Sequence, residues 1–350
     1  MAVTVTLSYI FDDEPGITRT RGNDGFDYFY PDGRPVRSRA LIRRIRSLAI
    51  PPAYSEVWIC RDPSGHIQAT GRDAKGRKQY RYHPEWDTIR NGTKYERMLA
   101  FGKALPKIRK RVSACLKEGT PRERVLAAIV KLLELTLIRV GNDEYARKNK
   151  SYGLTTLLAR HVEVSGSKIR FGFRGKGGIE HNVTVRHPEL AKIVKQCQGL
   201  PGRELFQYRD EDGRCRAVSA PDVNGFLREI SGADFTAKDF RTWAGSVFAM
   251  AALRKLDCSS ERAAKKGIVA TTKAVAERLG NTPAVCRKAY IHPALLEAYT
   301  AGALGAAPLN GRRGPRVDER EFLRFLMRLN GTVPALRKTR GSVPLAVNAN

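Results

Sequence analysis

The stretch His161–Val185, HVEVSGSKIRFGFRGKGGIEHNVTV, predicts a small sheet within a part of the chain whose pattern is otherwise mainly helical. We assign its strands to His161–Val164, Ile169–Phe173 and Ile179–Val185, with glycine-containing turns between them. A short three-stranded sheet is therefore expected inside the larger, mainly α-helical part of the protein.

Helical patterns lie on both sides of this stretch. One helix begins at Thr120-Pro121-x-Glu123, where a capping residue, an early proline and a carboxylate mark the first turn, and it is predicted to continue to Val140. Further helices are predicted over residues 188–198, 220–230, 236–254, 260–279, 293–301 and 317–330. The helical domain thus spans residues 91–330, and residues 331–350 are expected to form a loose basic tail.

The first 90 residues predict a separate α+β module. Val36–Ile50 has the pattern of a short Arg-rich helix that stops at Pro51-Pro52. Glu56–Cys60 and His66–Thr70 are predicted strands joined by a turn, and GRKQYRY (Gly76–Tyr82) predicts a third strand. We expect an antiparallel sheet here and a linker near residues 84–92, so that the fold class is α+β.

The charge of the chain indicates a polyanionic partner. In 350 residues, 63 Lys and Arg against 35 Asp and Glu give a net charge of +28. Residues 1–90 carry 15 basic and 11 acidic side chains, so most of the excess belongs to the remaining residues. Nucleic acid is the first candidate partner and an anionic membrane surface the second.

Several classes of protein are disfavoured by missing patterns. No run of 18 apolar residues indicates a membrane span, and the start of the chain does not have the pattern of a secretory signal. The six cysteines have no zinc-binding spacing and are expected to be reduced thiols. The Gly-rich FGFRGKGG does not fit a phosphate-binding loop, and the helical part shows no clustered carboxylates for a metal-dependent nuclease.

The strand around Gln79 combines cations with polar aromatic residues. Alternation along a strand places Tyr80 and Tyr82 on the face opposite Gln79. Glutamine can hydrogen-bond base edges, while tyrosine hydroxyls and cations can contact phosphates, so these residues are candidates for DNA binding. The alternative is an ordinary basic hairpin exposed to solvent.

Four segments in the helical part resemble a known family when they are taken together. They are LIRVGNDEY (Leu137–Tyr145), FRGKGG (Phe173–Gly178), KDFRTWAG (Lys238–Gly245) and LGNTPAVCRKAY (Leu279–Tyr290). In this order they resemble the type IB DNA topoisomerases, specifically the short bacterial, poxvirus-like branch. Ser151–Val164 and Leu48–Pro84 are similar to that branch as well, so the resemblance covers about residues 15–330.

The resemblance implies a set of catalytic residues. Tyr290 would be the nucleophile that forms a 3′-phosphotyrosyl link, and Arg139 and Arg241 would stabilise the phosphate in the transition state. Lys176 occupies the position of the general acid for the leaving 5′-oxygen. Asn281 stands where poxvirus and nuclear relatives carry histidine; its amide can donate a hydrogen bond but cannot carry a charge.

Tyr145 and Lys238 match accessory positions near the scissile phosphate, and relatives use residues matching Gln79, Tyr80 and Tyr82 in the major groove. Each of these residue types also has an ordinary structural role when it is considered alone: a solvated cation, a packed tyrosine or a turn asparagine. His181, His187 and His292 are expected to be structural, because nothing in the sequence gives them ligand or base partners.

The family resemblance predicts an enzyme that relaxes supercoiled duplex DNA. Two lobes would close around the DNA, and no cofactor is implied, neither ATP nor a metal. A monomer in the bacterial cytoplasm, at the nucleoid, is expected. Two alternatives remain open from the sequence: a tyrosine recombinase, which shares the Arg/Lys/Arg/Tyr chemistry, and a noncatalytic DNA-binding protein with a decayed site.

Overall fold

The computed structural model of the chain describes residues 7–22, 25–304 and 314–332, and for residues 87–94 and 332 it describes the backbone alone. The chain divides into two compact units, Met1–Glu96 and Arg97–Asn350. The fold class is α+β, as predicted. The predicted basic tail lies outside the described residues, except for residues 331 and 332.

The first unit is built on a five-stranded antiparallel sheet formed by β1 (Ile17–Gly22), β2 (Gly25–Phe29), β3 (Ser55–Ile59), β4 (Ile67–Arg72) and β5 (Lys78–Tyr82). The strand order in the sheet is β2-β1-β3-β4-β5. Its core contains Ile17, Val57 and Ile59 from the strands and Ile45 from the helix. The three predicted strands are confirmed, whereas β1 and β2 were not predicted. Helix α1 (Arg39–Ser47) lies between β2 and β3 in the chain.

Helix α1 is shorter than the predicted Val36–Ile50. Its N-cap is Ser38, whose hydroxyl accepts a hydrogen bond from the backbone N–H of Leu41. At the other end Ala49 adopts a positive φ of 48°, which ends the helix before the two prolines.

The linker expected near residues 84–92 is wrong from residue 86 onward, because helix α2 runs over Trp86–Glu118. A helix tolerates a glycine such as Gly92 at a cost of about 1 kcal/mol, so this residue does not interrupt it. The same helix also contains Pro106.

The second unit consists mainly of helices with two small antiparallel sheets, one of three strands and one of two. The three-stranded sheet at His161–Val185 is confirmed to within two residues at each strand end. After α2, the elements of the second unit are α3 (Pro121–Thr136), α4 (Asp143–Asn149), β6 (Val162–Ser165), β7 (Lys168–Arg174), β8 (Glu180–Arg186), α5 (Pro188–Gln198), β9 (Gln207–Arg209), β10 (Cys215–Ala217), α6 (Ala220–Ser231), α7 (Ala237–Leu253), α8 (Glu261–Leu279), α9 (Pro283–Ala289), α10 (Pro293–Thr300) and α11 (Pro315–Thr332). The three-stranded sheet has the order β6-β7-β8, and β9 pairs with β10.

Helix α3 is largely buried, and all of its residues from Val125 to Val130 belong to the core. It has the predicted capping box between Thr120 and Glu123. It ends at Thr136 rather than at the predicted Val140, because Leu137 adopts the left-handed conformation with φ 57°. The residues that follow therefore form a loop instead of a further helical turn.

Candidate active site

Arg241 joins the ends of two helices. Its side chain, on the second turn of α7, is only 4% exposed. Its Nη1 donates to the carbonyl of Leu137 at the end of α3. Its Nη2 donates to the carbonyl of Leu279 at the end of α8, at 2.5 Å. Helix ends leave carbonyl groups without partners, so a buried guanidinium there satisfies them and carries a favourable charge.

Arg139 lies on the loop that follows α3 and is half-buried. Its Nη2 donates to the carbonyl of Gly280 at 3.1 Å and to Oδ1 of Asn281 at 2.7 Å. Burial and the neighbouring Arg241 both lower the pKa of Arg139 from its usual value, which still leaves the guanidinium a cation at neutral pH.

Asn281 follows the glycine that ends α8. Gly280 adopts a φ of 56°, a left-handed conformation that favours glycine at this position. While Oδ1 of Asn281 accepts from Arg139, its Nδ2 is buried and has no hydrogen-bond partner among the described residues. Nε of Arg241 is likewise buried and has no hydrogen-bond partner among the described residues. Such donors are costly to bury unless a ligand accepts from them.

Tyr290 ends helix α9, and its backbone N–H donates to the carbonyl of Cys286 at 2.9 Å. The guanidinium carbon of Arg241 lies 5.5 Å from the centre of the Tyr290 ring. Burial acts to raise the pKa of Tyr290, but Arg241, Arg139 and Lys238 outweigh it, so the pKa lies below its usual value. The cations therefore favour the phenolate form.

Helix α7 fixes the backbone of Tyr290. A Cβ at Gly245 would lie 2.9 Å from the Tyr290 carbonyl oxygen and 3.1 Å from its Cβ, so only glycine allows this close approach. The hydroxyl of Ser246 donates to the same carbonyl at 3.0 Å and accepts from the backbone N–H of His292 at 3.0 Å. Sequence reasoning did not identify Ser246, because a serine in a helix carries no local signal of this role.

Lys176 projects from the turn between β7 and β8 and is exposed. The next two residues, Gly177 and Gly178, have φ values of 78° and 79°, a conformation that other residues rarely adopt. Nζ of Lys176 lies 5.4 Å from the ring centre of Tyr145 on α4, a short helix that was not predicted.

A single cleft of about 260 Å³ in the second unit brings most of the predicted residues together. Asn281 does not line this cleft, but it accepts a hydrogen bond from Arg139, which does line it. The predicted residues that line the cleft are Arg139, Tyr145, Lys176, Lys238, Arg241 and Tyr290.

Gln79, Tyr80 and Tyr82 belong to the first unit, on β5. The rings of Tyr80 and Tyr82 lie on one face, 5.9 Å apart and nearly parallel, and both are about two-fifths exposed. The side chain of Gln79 is half-buried, and its amide donates to Asp73 at 2.9 Å.

The described part of the chain contains no group of three His, Cys, Asp or Glu side chains placed to hold a metal ion. Within the same residues, no helix is long and apolar enough to cross a membrane. All six cysteines lie in the described ranges and are free thiols.

Two models of known protein families match the chain. Residues 83–304, more than half of the chain, match the family model described as eukaryotic DNA topoisomerase I, catalytic core. Residues 25–73 match the model described as bacterial DNA topoisomerase IB, N-terminal domain.

Relatives of known identity point the same way. The chain is 36% identical over 296 residues to DNA topoisomerase 1B of Acanthamoeba polyphaga mimivirus, covering 81% of this chain and 87% of the relative. It is 24% identical over 251 residues to DNA topoisomerase 1B of Vaccinia virus, covering 70% of this chain and 75% of the relative. The chain therefore belongs to the type IB DNA topoisomerases, a family of isomerases.

Proposed function

We propose that this topoisomerase relaxes supercoiled duplex DNA by cutting one strand, allowing rotation and resealing the cut. The observation that carries the proposal is the convergence of Arg139, Lys176 and Arg241 with Tyr290 in one cleft. Cations that line one cleft with a phenol are suited to attack on a phosphodiester, since negative charge develops on the phosphate during that reaction.

Tyr290 is the proposed nucleophile. Its phenolic oxygen forms a bond to the scissile phosphorus, the bond to the 5′-oxygen breaks, and the enzyme remains attached to the 3′-end. The lowered pKa of Tyr290 supports this role, because the phenolate is the better nucleophile. The covalent link retains the energy of the broken phosphodiester, so the reverse reaction reseals the strand without ATP.

Arg139, Arg241 and Asn281 are proposed to bind the nonbridging phosphate oxygens. Nδ2 of Asn281 and Nε of Arg241 are buried donors without partners among the described residues, which a bound phosphate would supply. The guanidinium groups add charge, and the Asn281 amide adds a neutral hydrogen bond in place of the histidine of relatives.

Lys176 is the proposed general acid, which protonates the leaving 5′-oxygen. It is exposed on a turn, so its flexible side chain can reach a phosphate bound in the cleft. Lys238 and Tyr145 line the same cleft and are proposed to contact the DNA beside the scissile bond.

The first unit is proposed to act as a DNA clamp. Tyr80 and Tyr82 present exposed polar rings and Gln79 an amide, groups that suit contacts with phosphates and base edges. In this scheme residues 1–90 serve the clamp and residues 91–330 the chemistry, with a monomer acting on DNA at the nucleoid in the cytoplasm.

The proposal is tested with supercoiled plasmid in EDTA without ATP. Relaxation is expected, and denaturant should trap the protein on the 3′-end of a nick. Absence of relaxation across a range of salt concentrations, or protein attached to the 5′-end, would contradict it. Joined strands from two different duplexes would instead indicate recombination.

A further inference from the structure

His181 lies beside the cleft although nothing in the sequence marked it as functional. It stands on β8 directly opposite Phe173 of β7, and the two rings are stacked 4.9 Å apart at an interplanar angle of 12°. Phe173 thereby holds the imidazole in one orientation.

The His181 ring fills a slot between two turns that carry proposed catalytic residues. A Cβ at Gly175 would lie 2.6 Å from Cδ2 and Nε2 of His181, and a Cβ at Gly280 would lie 3.0 Å from its Cε1. Gly175 directly precedes Lys176, and Gly280 directly precedes Asn281. The carbonyl of Gly280 also accepts a hydrogen bond from Arg139. One imidazole therefore contacts the turn of the proposed acid and the turn of the proposed phosphate-binding groups.

The surroundings keep this imidazole neutral. Burial lowers the pKa of His181 from its usual value, and Arg139 and Arg241 lower it further, while Glu180 acts in the opposite direction. A protonated ring would add another cation beside two arginines. The neutral ring instead acts by occupying the space between the two turns.

We propose that His181 is a positioning residue that holds the Lys176 turn at a fixed distance from the Gly280–Asn281 turn. The inference rests on the function proposed above for Lys176. The turn needs such support because Gly177 and Gly178 provide little stiffness of their own and Lys176 is exposed. A displacement of about 1 Å in a catalytic group can reduce a rate about 100-fold.

The test compares two leaving groups in single-turnover cleavage. A duplex with a cleavage site first mapped on plasmid DNA is made with either oxygen or sulfur at the 5′-bridging position. A thiol has a pKa of about 8.5, far below that of an alcohol, so sulfur leaves without a proton from Lys176. A defect in proton donation should therefore disappear with sulfur, whereas a general loss of structure should remain.

For His181→Ala we expect cleavage about 10- to 100-fold slower on the oxygen duplex and close to the wild-type rate on the sulfur duplex. The double variant Lys176→Ala/His181→Ala should be no slower than Lys176→Ala alone, since both changes remove the same contribution. His161→Ala is the matched control. The ring of His161 lies 6.5 Å from the ring of Phe173 but is not among the nearest neighbours of Gly175 or Gly280. The ratio of the cleavage rates on the two duplexes should therefore be the same for this variant as for the wild type.

Equal slowing on both duplexes, or additive effects with Lys176→Ala, would overturn the role of His181. If His181→Ala does not fold, His181→Gln is judged by the same two criteria. A wild-type protein that forms no 3′-adduct overturns the proposed function itself. A Lys176→Ala defect that sulfur does not rescue overturns the acid assignment. Both of these are distinct from a failure of His181 alone.

Discussion

Arg241 shows how one side chain serves both stability and the proposed chemistry. Its guanidinium satisfies carbonyls at the ends of α3 and α8 and also lowers the pKa of Tyr290. Arg139 and Asn281 follow those same two helix ends. The position of the proposed phosphate-binding groups is therefore set by the buried arginine that completes the fold.

Lys238 tests the electrostatic control of Tyr290. Removing this exposed cation in Lys238→Ala should raise the pKa of Tyr290 and move the pH dependence of cleavage to higher pH, because the phenolate loses a favourable neighbour. The rate at pH 7 should fall roughly fivefold or less, since an exposed charge contributes about 1 kcal/mol at most.

The measurement is the single-turnover cleavage rate from pH 5 to 10 at low and high salt. Salt should reduce the difference from wild type. Lys192→Ala, an exposed lysine on α5, controls for the loss of one positive charge and should leave the profile in place. An unshifted profile for Lys238→Ala would contradict the electrostatic account.

Asn281→Ala should slow cleavage about 10- to 100-fold, because it removes an acceptor that orients Arg139 and a buried donor proposed to bind phosphate. DNA affinity should change little, since most of the affinity comes from other phosphate contacts. Cleavage rate and dissociation constant are measured on the same duplex. Cleavage at the wild-type rate would remove Asn281 from the proposed mechanism.

At the scale of elements, the sequence predicted those with strong local signals. The capping box at Thr120 and the glycine turns of His161–Val185 are chemically specific, and both are confirmed. Helices α4 and α9, seven residues each, were missed because such short elements give little periodicity.

The end of α3 could not be predicted because its cause is distant in the chain. The residues after Leu137 continue an apolar pattern, yet the carbonyl of Leu137 bonds to Arg241, 104 residues away. The contacts of His181 with Gly175 and Gly280 are likewise tertiary. The identities of the site residues came from the family resemblance, whereas their convergence in one cleft required the fold.

The close approach of α7 to Tyr290 gives a prediction with a matched control. Alanine in place of helical glycine normally stabilises by about 1 kcal/mol. Gly245→Ala should instead shift Tyr290, because the new Cβ would lie 2.9 Å from its carbonyl oxygen, and should slow cleavage by tenfold or more. Gly225→Ala, on α6 with no atom within 4 Å of the new Cβ, should raise the thermal midpoint and leave cleavage unchanged. Normal cleavage by Gly245→Ala would show that this contact does not position Tyr290.

At the scale of the whole molecule, the net charge of +28 predicts salt-sensitive binding. Each phosphate contact releases condensed counterions, so the logarithm of the binding constant should fall linearly with the logarithm of salt concentration. A steep slope is expected because basic side chains are spread over both units. Binding of a noncleavable duplex by Tyr290→Phe from 50 to 300 mM salt measures it. Affinity that does not change with salt would contradict the proposed phosphate contacts.

Relaxation of supercoiled plasmid by Tyr290→Phe tests whether Tyr290 makes the covalent bond to DNA. The substitution removes one hydroxyl and keeps the ring beside Arg241, so folding and DNA binding should be retained. We predict no relaxation and no trapped covalent adduct, while the wild-type adduct should yield a DNA-linked peptide that contains Tyr290. Relaxation by Tyr290→Phe at the wild-type rate would contradict the account.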